Sequence, residues 1–147
     1  MMPLRFGDIM TDRAEIERVI RAAYAARKAG DLDAISKTFT KDARFRIAGS
    51  PEMSPVAVKA EGVKNLQAVL KEMITVFEWI DQEILSMVVE GEKAAVHWRG
   101  TIRSTATGET VRTELFDLFE FDGGRISSLV EFCDTAVAAR LMGATGQ

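Results

Sequence analysis

Between Val111 and Phe121 the chain alternates with period two. Val111, Thr113, Leu115, Asp117, Phe119 and Phe121 fall on one side, and Arg112, Glu114, Phe116, Leu118 and Glu120 on the other. Such alternation predicts a strand whose odd positions face the core. Asp122-Gly123-Gly124 then predicts a tight turn into a second strand over 125–134. Asp117 thus stands in the middle of a row that should be buried, where a carboxylate needs a reason. Upstream the period changes. Ile16, Val19, Ile20, Ala23 and Tyr24 recur at helical spacing after an N-cap at Thr11 or Asp12, with Glu15 in the first turn and Gly30 as a stop. Asp31 caps a shorter helix carrying Leu32, Ile35 and Phe39, and Ala43 to Ile47 is a short strand. Residues 48–60 hold two prolines and small side chains, the signature of a surface loop that could act as a flap. A third helix follows from about Glu61 to Phe77, then strands at roughly 80–90, 93–105, 110–121 and 125–134, and a last helical turn or two from Ala136 to Met142. Residues 1–10 read as a flexible arm, 11–142 as a single domain and 143–147 as a tail.

Helices first and a strand meander last predict an α+β domain, with three N-terminal helices packed on the concave face of a strongly curved antiparallel sheet. The resulting cone-shaped barrel encloses a natural place for a small apolar ligand. A tight turn at Thr107-Gly108 pairs Ala106 with Glu109 and sets Trp98 opposite Asp117, leaving His97 and Arg99 outward; a bulged turn would bring His97 across instead. In the last strand Leu129, Glu131 and Cys133 share one face, and Ile126, Ser128, Val130 and Phe132 the other. The pattern alone leaves open which is interior. With Glu131 inward, two carboxylates share the cone, and desolvation with mutual repulsion raises at least one pKa.

Composition narrows the function classes. The chain has 147 residues, enough for one domain with a substantial core, with 47% hydrophobic and 28% charged residues. A net charge of −3 without a basic block argues against nucleic acid as a partner. One cysteine excludes an internal disulfide, and one histidine with no partner cysteine argues against a zinc site. With no apolar run suited to a signal peptide or a membrane span, the expected location is the cytoplasm. Phe116, Leu118, Val130 and Phe132 form an apolar patch on the outward sheet face, which predicts a homodimer.

Three stretches carry a resemblance: AGDLDAISKTFTKDARFRI from Ala29 to Ile47, Gly62 opening the third helix, and LFDLFEFDGGRISSLVEFCDT from Leu115 to Thr135. From about Asp12 to Met142 the chain resembles the nuclear transport factor 2-like superfamily, in its SnoaL-like polyketide cyclase and ketosteroid isomerase branches. That superfold hosts isomerases, cyclases, dehydratases, epoxide hydrolases and binding domains. The resemblance implies an oxyanion-hole or acid/base aspartate at Asp117. The general base of the ketosteroid isomerases falls at Ile47, which has no proton chemistry, and their catalytic tyrosine falls near Ala23, one position from Tyr24. The epoxide hydrolase branch has a catalytic aspartate that falls at Glu131, but its other strand residues fall at Trp98 and Gly100, and its water-holding pair at Phe45 and Ile47. The implied function is cofactor-independent acid/base chemistry (cyclisation, isomerisation or dehydration) on a hydrophobic substrate. Asp117 would be the acid/base, Glu131 its assistant, and Trp98, Tyr24, Phe45, Ile47, Leu115, Phe119 and Leu129 the walls. The alternative is a non-catalytic domain that binds a hydrophobic ligand or dimerises.

Overall fold

The computed structural model describes residues 12–143, so the expected arm and nearly all of the tail lie outside the described residues. Helix α1 (Arg13–Ala29) starts where the Asp12 carboxylate accepts from the Glu15 amide at 2.9 Å, and stops at Gly30, whose φ of 71° suits glycine. Helix α2 (Leu32–Ser36) is capped in the same way by Asp31. Strand β1 (Phe39–Ile47) begins four residues earlier than its alternation predicted, and takes Phe39 out of the expected helical face. The Thr38 hydroxyl bonds back to Ile35, ending α2, and the Thr38 carbonyl accepts from Ile126, which docks Phe39 into the sheet.

Two further elements differ from expectation. Strand β2 (Val58–Glu61) lies within the predicted loop, pairing Phe45 with Ala60 and Ile47 with Val58. It is too short, and too close to the prolines, for alternation to reveal it. Helix α3 (Val63–Val76) runs without a loop into strand β3 (Phe77–Glu90), so Phe77 and Trp79 belong to the sheet. Strands β4 (Lys93–Ser104), β5 (Thr110–Asp122) and β6 (Arg125–Cys133) and helix α4 (Thr135–Leu141) follow as predicted. No helix among the described residues is long and apolar enough to cross a membrane.

The six strands form one curved, unclosed sheet in the order β2-β1-β6-β5-β4-β3. Every neighbouring pair is antiparallel except β1 and β6, which run parallel. That pairing is possible because the whole of α3 to β5 intervenes between the two strands. The core fills the space between the sheet's inner face and the helices, with Ile16, Ile20 and Leu66 meeting Val96, Trp98, Phe119 and Ile126.

Register decides what faces inward. The β4–β5 hairpin closes over a longer loop, 105–108, held by the Ser104 side chain on the Thr107 amide and by Gly108 at φ 75°. The pairing therefore shifts by two residues from expectation: Val96 stands opposite Asp117, and Trp98 opposite Leu115. An even shift preserves the faces, so His97 stays outward. In β6, a bulge near Phe121 turns Ile126 inward, whereas strict alternation had grouped it with the outward Ser128, Val130 and Phe132.

Gly100 marks the tightest approach in the sheet, because a Cβ there would overlap the Asp81 carbonyl oxygen across the β3 bulge. Gly100→Ala is expected to destabilise the fold by about 1–3 kcal/mol, measured by urea denaturation. A cost of only a few tenths would show that the bulge yields freely.

Candidate active site

Asp117 on β5 and Glu131 on β6 are direct cross-strand partners, so strand pairing alone puts the two carboxyls side by side. Asp117 is 0% exposed and Glu131 8%. Helix α1 carries Tyr24 on its buried stripe, and the Tyr24 hydroxyl donates to Asp117 Oδ2 at 2.6 Å. The Trp98 indole N–H donates to the same oxygen at 2.7 Å from β4. The other oxygen, Oδ1, is buried with no hydrogen-bond donor. Aromatic rings pack the network in place, with Trp79 and Trp98 centroids 4.5 Å apart and Tyr24 against Trp79, Trp98 and Phe119.

The two carboxyls differ electrostatically. Burial raises both, and for Glu131 the neighbouring Asp117 charge adds to burial, holding its carboxyl well above the usual range. Asp117 is pulled back by the donors aimed at it: Glu131, Tyr24 and Trp98. Both shifts favour a proton held within the pair, and Glu131 is the more strongly raised of the two. Burial first, and then the Asp117 charge, pushes the Tyr24 hydroxyl far above its ordinary range, so it stays protonated and donates to Asp117.

Arg27, one turn beyond Tyr24 on α1, is 4% exposed. Its Nη2 donates to the Phe77 carbonyl at 2.7 Å and the Met73 carbonyl at 3.2 Å, and its Cζ lies 4.8 Å from the Trp79 ring centroid. Burial pushes the guanidinium down to about 10, which still leaves it a cation at neutral pH.

Two narrow chambers meet at this group. The inner one, about 40 Å³, is lined by Tyr24, Phe45, Asp117, Phe119 and Leu129, among others. The outer one, about 60 Å³, is lined by Ile47, Val56, Ile102, Leu115, Cys133 and Leu141, among others. Arg27, Met73, Trp79 and Glu131 line both. A groove of about 190 Å³ beneath Pro55 and Val56 adjoins the outer chamber, sharing Ile47, Val56, Met73 and Phe77 with it.

The sequence-predicted wall residues Tyr24, Phe45 and Leu129 thus border the inner chamber with Phe119, while Ile47 and Leu115 border the outer one. Trp98 borders neither. Its N–H is drawn to Asp117, which seats the ring in the core beneath Trp79. Of the two carboxyls, Asp117 is the deeper, and Glu131 the one that reaches both chambers. His97 points outward to Glu114 at 2.7 Å and Arg99 to Glu83 at 3.1 Å. The Cys133 thiol, pushed up to about 11 by burial, is not a nucleophile at neutral pH. Among the described residues no group of three His, Cys, Asp or Glu side chains could hold a metal ion.

Sequence reasoning missed Arg27 and Trp79. Arg27 continues the spacing of Ile16, Ile20 and Ala23 onto the buried stripe, a detectable signal that helix ends usually make unremarkable. Trp79 fell between a helix read one residue too long and a strand read three residues too short.

Comparison with known proteins places these features in context. A family model described as a SnoaL-like domain matches residues 20–129. No curated protein matches the chain. Among solved structures, a candidate isomerase from Bacillus subtilis superposes with a TM-score of 0.80 at 16% identity, covering 90% of this chain and 95% of its own. A nuclear transport factor 2-like protein from Burkholderia xenovorans gives 0.71 at 21% identity, covering 88% and 97%. An epoxide hydrolase of the LEH-like type from M. tuberculosis gives 0.68 at 16% identity, also covering 88% and 97%. At these identities the likeness extends to the fold alone.

The shared proton has a consequence for stability. Glu131 ionises near 4.5 when unfolded and well above that when folded, so above pH 4.5 folding takes up a proton. Stability is expected to fall as pH rises from 4.5 through the raised folded value, with a shallower slope in Glu131→Gln, measured by denaturation across that range. An unchanged slope in the variant would mean that the proton is held elsewhere.

Proposed function

The chain belongs to the SnoaL-like domain family, and on that footing we propose that it is a small-molecule enzyme performing cofactor-independent acid/base chemistry on a hydrophobic substrate in the cone. The observation that carries this reading is a buried pair of directly opposed carboxyls, both raised in proton affinity, at the junction of two largely apolar chambers. Glu131 reaches the outer chamber and is the group that meets substrate. As it takes a proton from a substrate carbon, its own proton passes to Asp117, and the reverse movement returns a proton at a second position. The negative charge of the pair thereby moves onto the substrate, in chambers that the Arg27 cation also lines. Tyr24 and Trp98 hold Asp117 ready for this exchange by stabilising its ionised form. Isomerisation, cyclisation and dehydration all draw on this one device. Neither the Ile47 position nor the outward His97 supplies a competing base.

Deuterium exchange from D2O into small cyclic ketones, at carbons beside the carbonyl, tests the reading without knowledge of the natural substrate. Wild-type protein is expected to accelerate exchange for some members of such a panel, and Glu131→Gln to slow it by about a hundredfold. Absence of exchange across the panel, with ligands of that class still bound, favours the non-catalytic binding domain.

The outer face supports a second proposal, a homodimer. Phe116, Leu118 and Phe132 are exposed there, and the Phe116 and Phe132 rings lie 6.2 Å apart, forming an apolar patch. Phe116→Glu combined with Phe132→Glu is expected to convert a dimer into a monomer in sedimentation. A wild-type monomer would refute the assignment.

A further inference from the structure

We propose that Arg27 anchors an acidic oxygen of the ligand, so that the cone takes a flat apolar molecule bearing a carboxylate. The inference deepens the proposed function and rests on its reading of the cone as a ligand site. Arg27 is a buried cation without a counter-ion in contact among the described residues. It takes part in none of the ion pairs among the described residues. Among the described residues both of its hydrogen bonds leave from Nη2, to carbonyls at the junction of α3 and β3, and its buried Nε has no partner. A clamp between α1 and that junction accounts for Nη2 and for the Trp79 stack. It does not account for the idle donor, since an unsatisfied buried N–H carries a full desolvation cost.

The surroundings define what would complete the group. Arg27 lines both chambers, and most of its fellow lining residues are apolar or aromatic: Ile47, Met73, Phe77 and Leu115 among them. Glu131 lines both chambers with Arg27 yet makes no ion pair with it, and burial beside Asp117 favours its protonated form, a donor and not a counter-ion. A ligand carboxylate placed between them would accept from the guanidinium on one side and from the Glu131 hydroxyl on the other. Its hydrophobic remainder would lie against Trp79 and Phe77. Charge-assisted bonds to arginine are strong and geometrically selective, and the Trp79 ring and two carbonyls hold this guanidinium pre-oriented. A neutral ligand of the same shape would leave Nε as it is.

The two tryptophans of the chain provide the readout. Trp79 stacks on Arg27 and Trp98 bonds to Asp117, so their indole N–H resonances report separately on the anchor and on the carboxyl pair. Titrating the whole chain with trans-cinnamate and with cinnamamide is expected to move the Trp79 signal saturably in both cases, with the acid bound at least tenfold more tightly. Arg27→Met should abolish the preference for the acid while amide binding persists, and Arg27→Lys should restore part of it. Equal affinity for acid and amide in the wild type would overturn the anchor, and so would a preference surviving in Arg27→Met; either leaves the hydrophobic pocket intact. The acid–amide comparison needs no variant, so it stands even if Arg27→Met fails to fold. Failure of both ligands to bind would overturn the anchor and the pocket together.

Discussion

Two carboxyl groups occupy opposite positions in the β5–β6 ladder, on the buried face, and this pairing governs much of the interior. Two adjacent carboxylates cannot both stay ionised away from water, because each would be desolvated beside a like charge. Retaining one proton is the least costly arrangement, and the neighbouring donors determine where it goes. Tyr24 and Trp98 converge on one oxygen of Asp117 from different elements, which favours the proton on Glu131. The aromatic cluster, the buried end of α1 and the inward face of β4 are all arranged around that network.

The same asymmetry links packing to chemistry. Asp117 is saturated on Oδ2 and held in the core, a position suited to receiving and returning a proton. Glu131 stands where the chambers meet, and Arg27, which forms no ion pair among the described residues, lines both chambers with it. With one proton on the pair, the cation and the remaining carboxylate sum to zero. The interior is then neutral overall yet polarised. Relatives of this fold differ widely in activity, and the side chains lining the cone, not the fold, select among them.

Much of this arrangement was legible in the residue pattern. The α1 stripe, its Asp12 cap and its Gly30 stop, the four long strands and the inward face of Asp117 follow from periodicity and local stereochemistry, which act over a few residues. The outward placement of His97 also followed, since an even register error leaves faces unchanged. Other features escaped because no local signal carries them. Strand β2 exists because β1 offers it an edge, Ile126 turns inward through a bulge, and Trp98 leaves the cavity wall because a distant aspartate captures its N–H.

The sequence by itself determined which residues could be buried together: an alternating strand with one carboxylate on its apolar side, a second carboxylate on the next strand, and a helix bringing Tyr24 onto its buried face. Tertiary structure alone decided how they divide their roles. Whether Glu131 faces in or out depends on pairing with both β1 and β5, one parallel and one antiparallel, and long-range registers of this kind leave no trace in local alternation. The proton's position depends on donors from α1 and β4, far apart in the chain, and the exposure of Arg27 to the chambers depends on where α3 ends against α1. Charge and proton affinity are set by solvation and by neighbours at a few ångströms, quantities that come into existence only when the chain has folded.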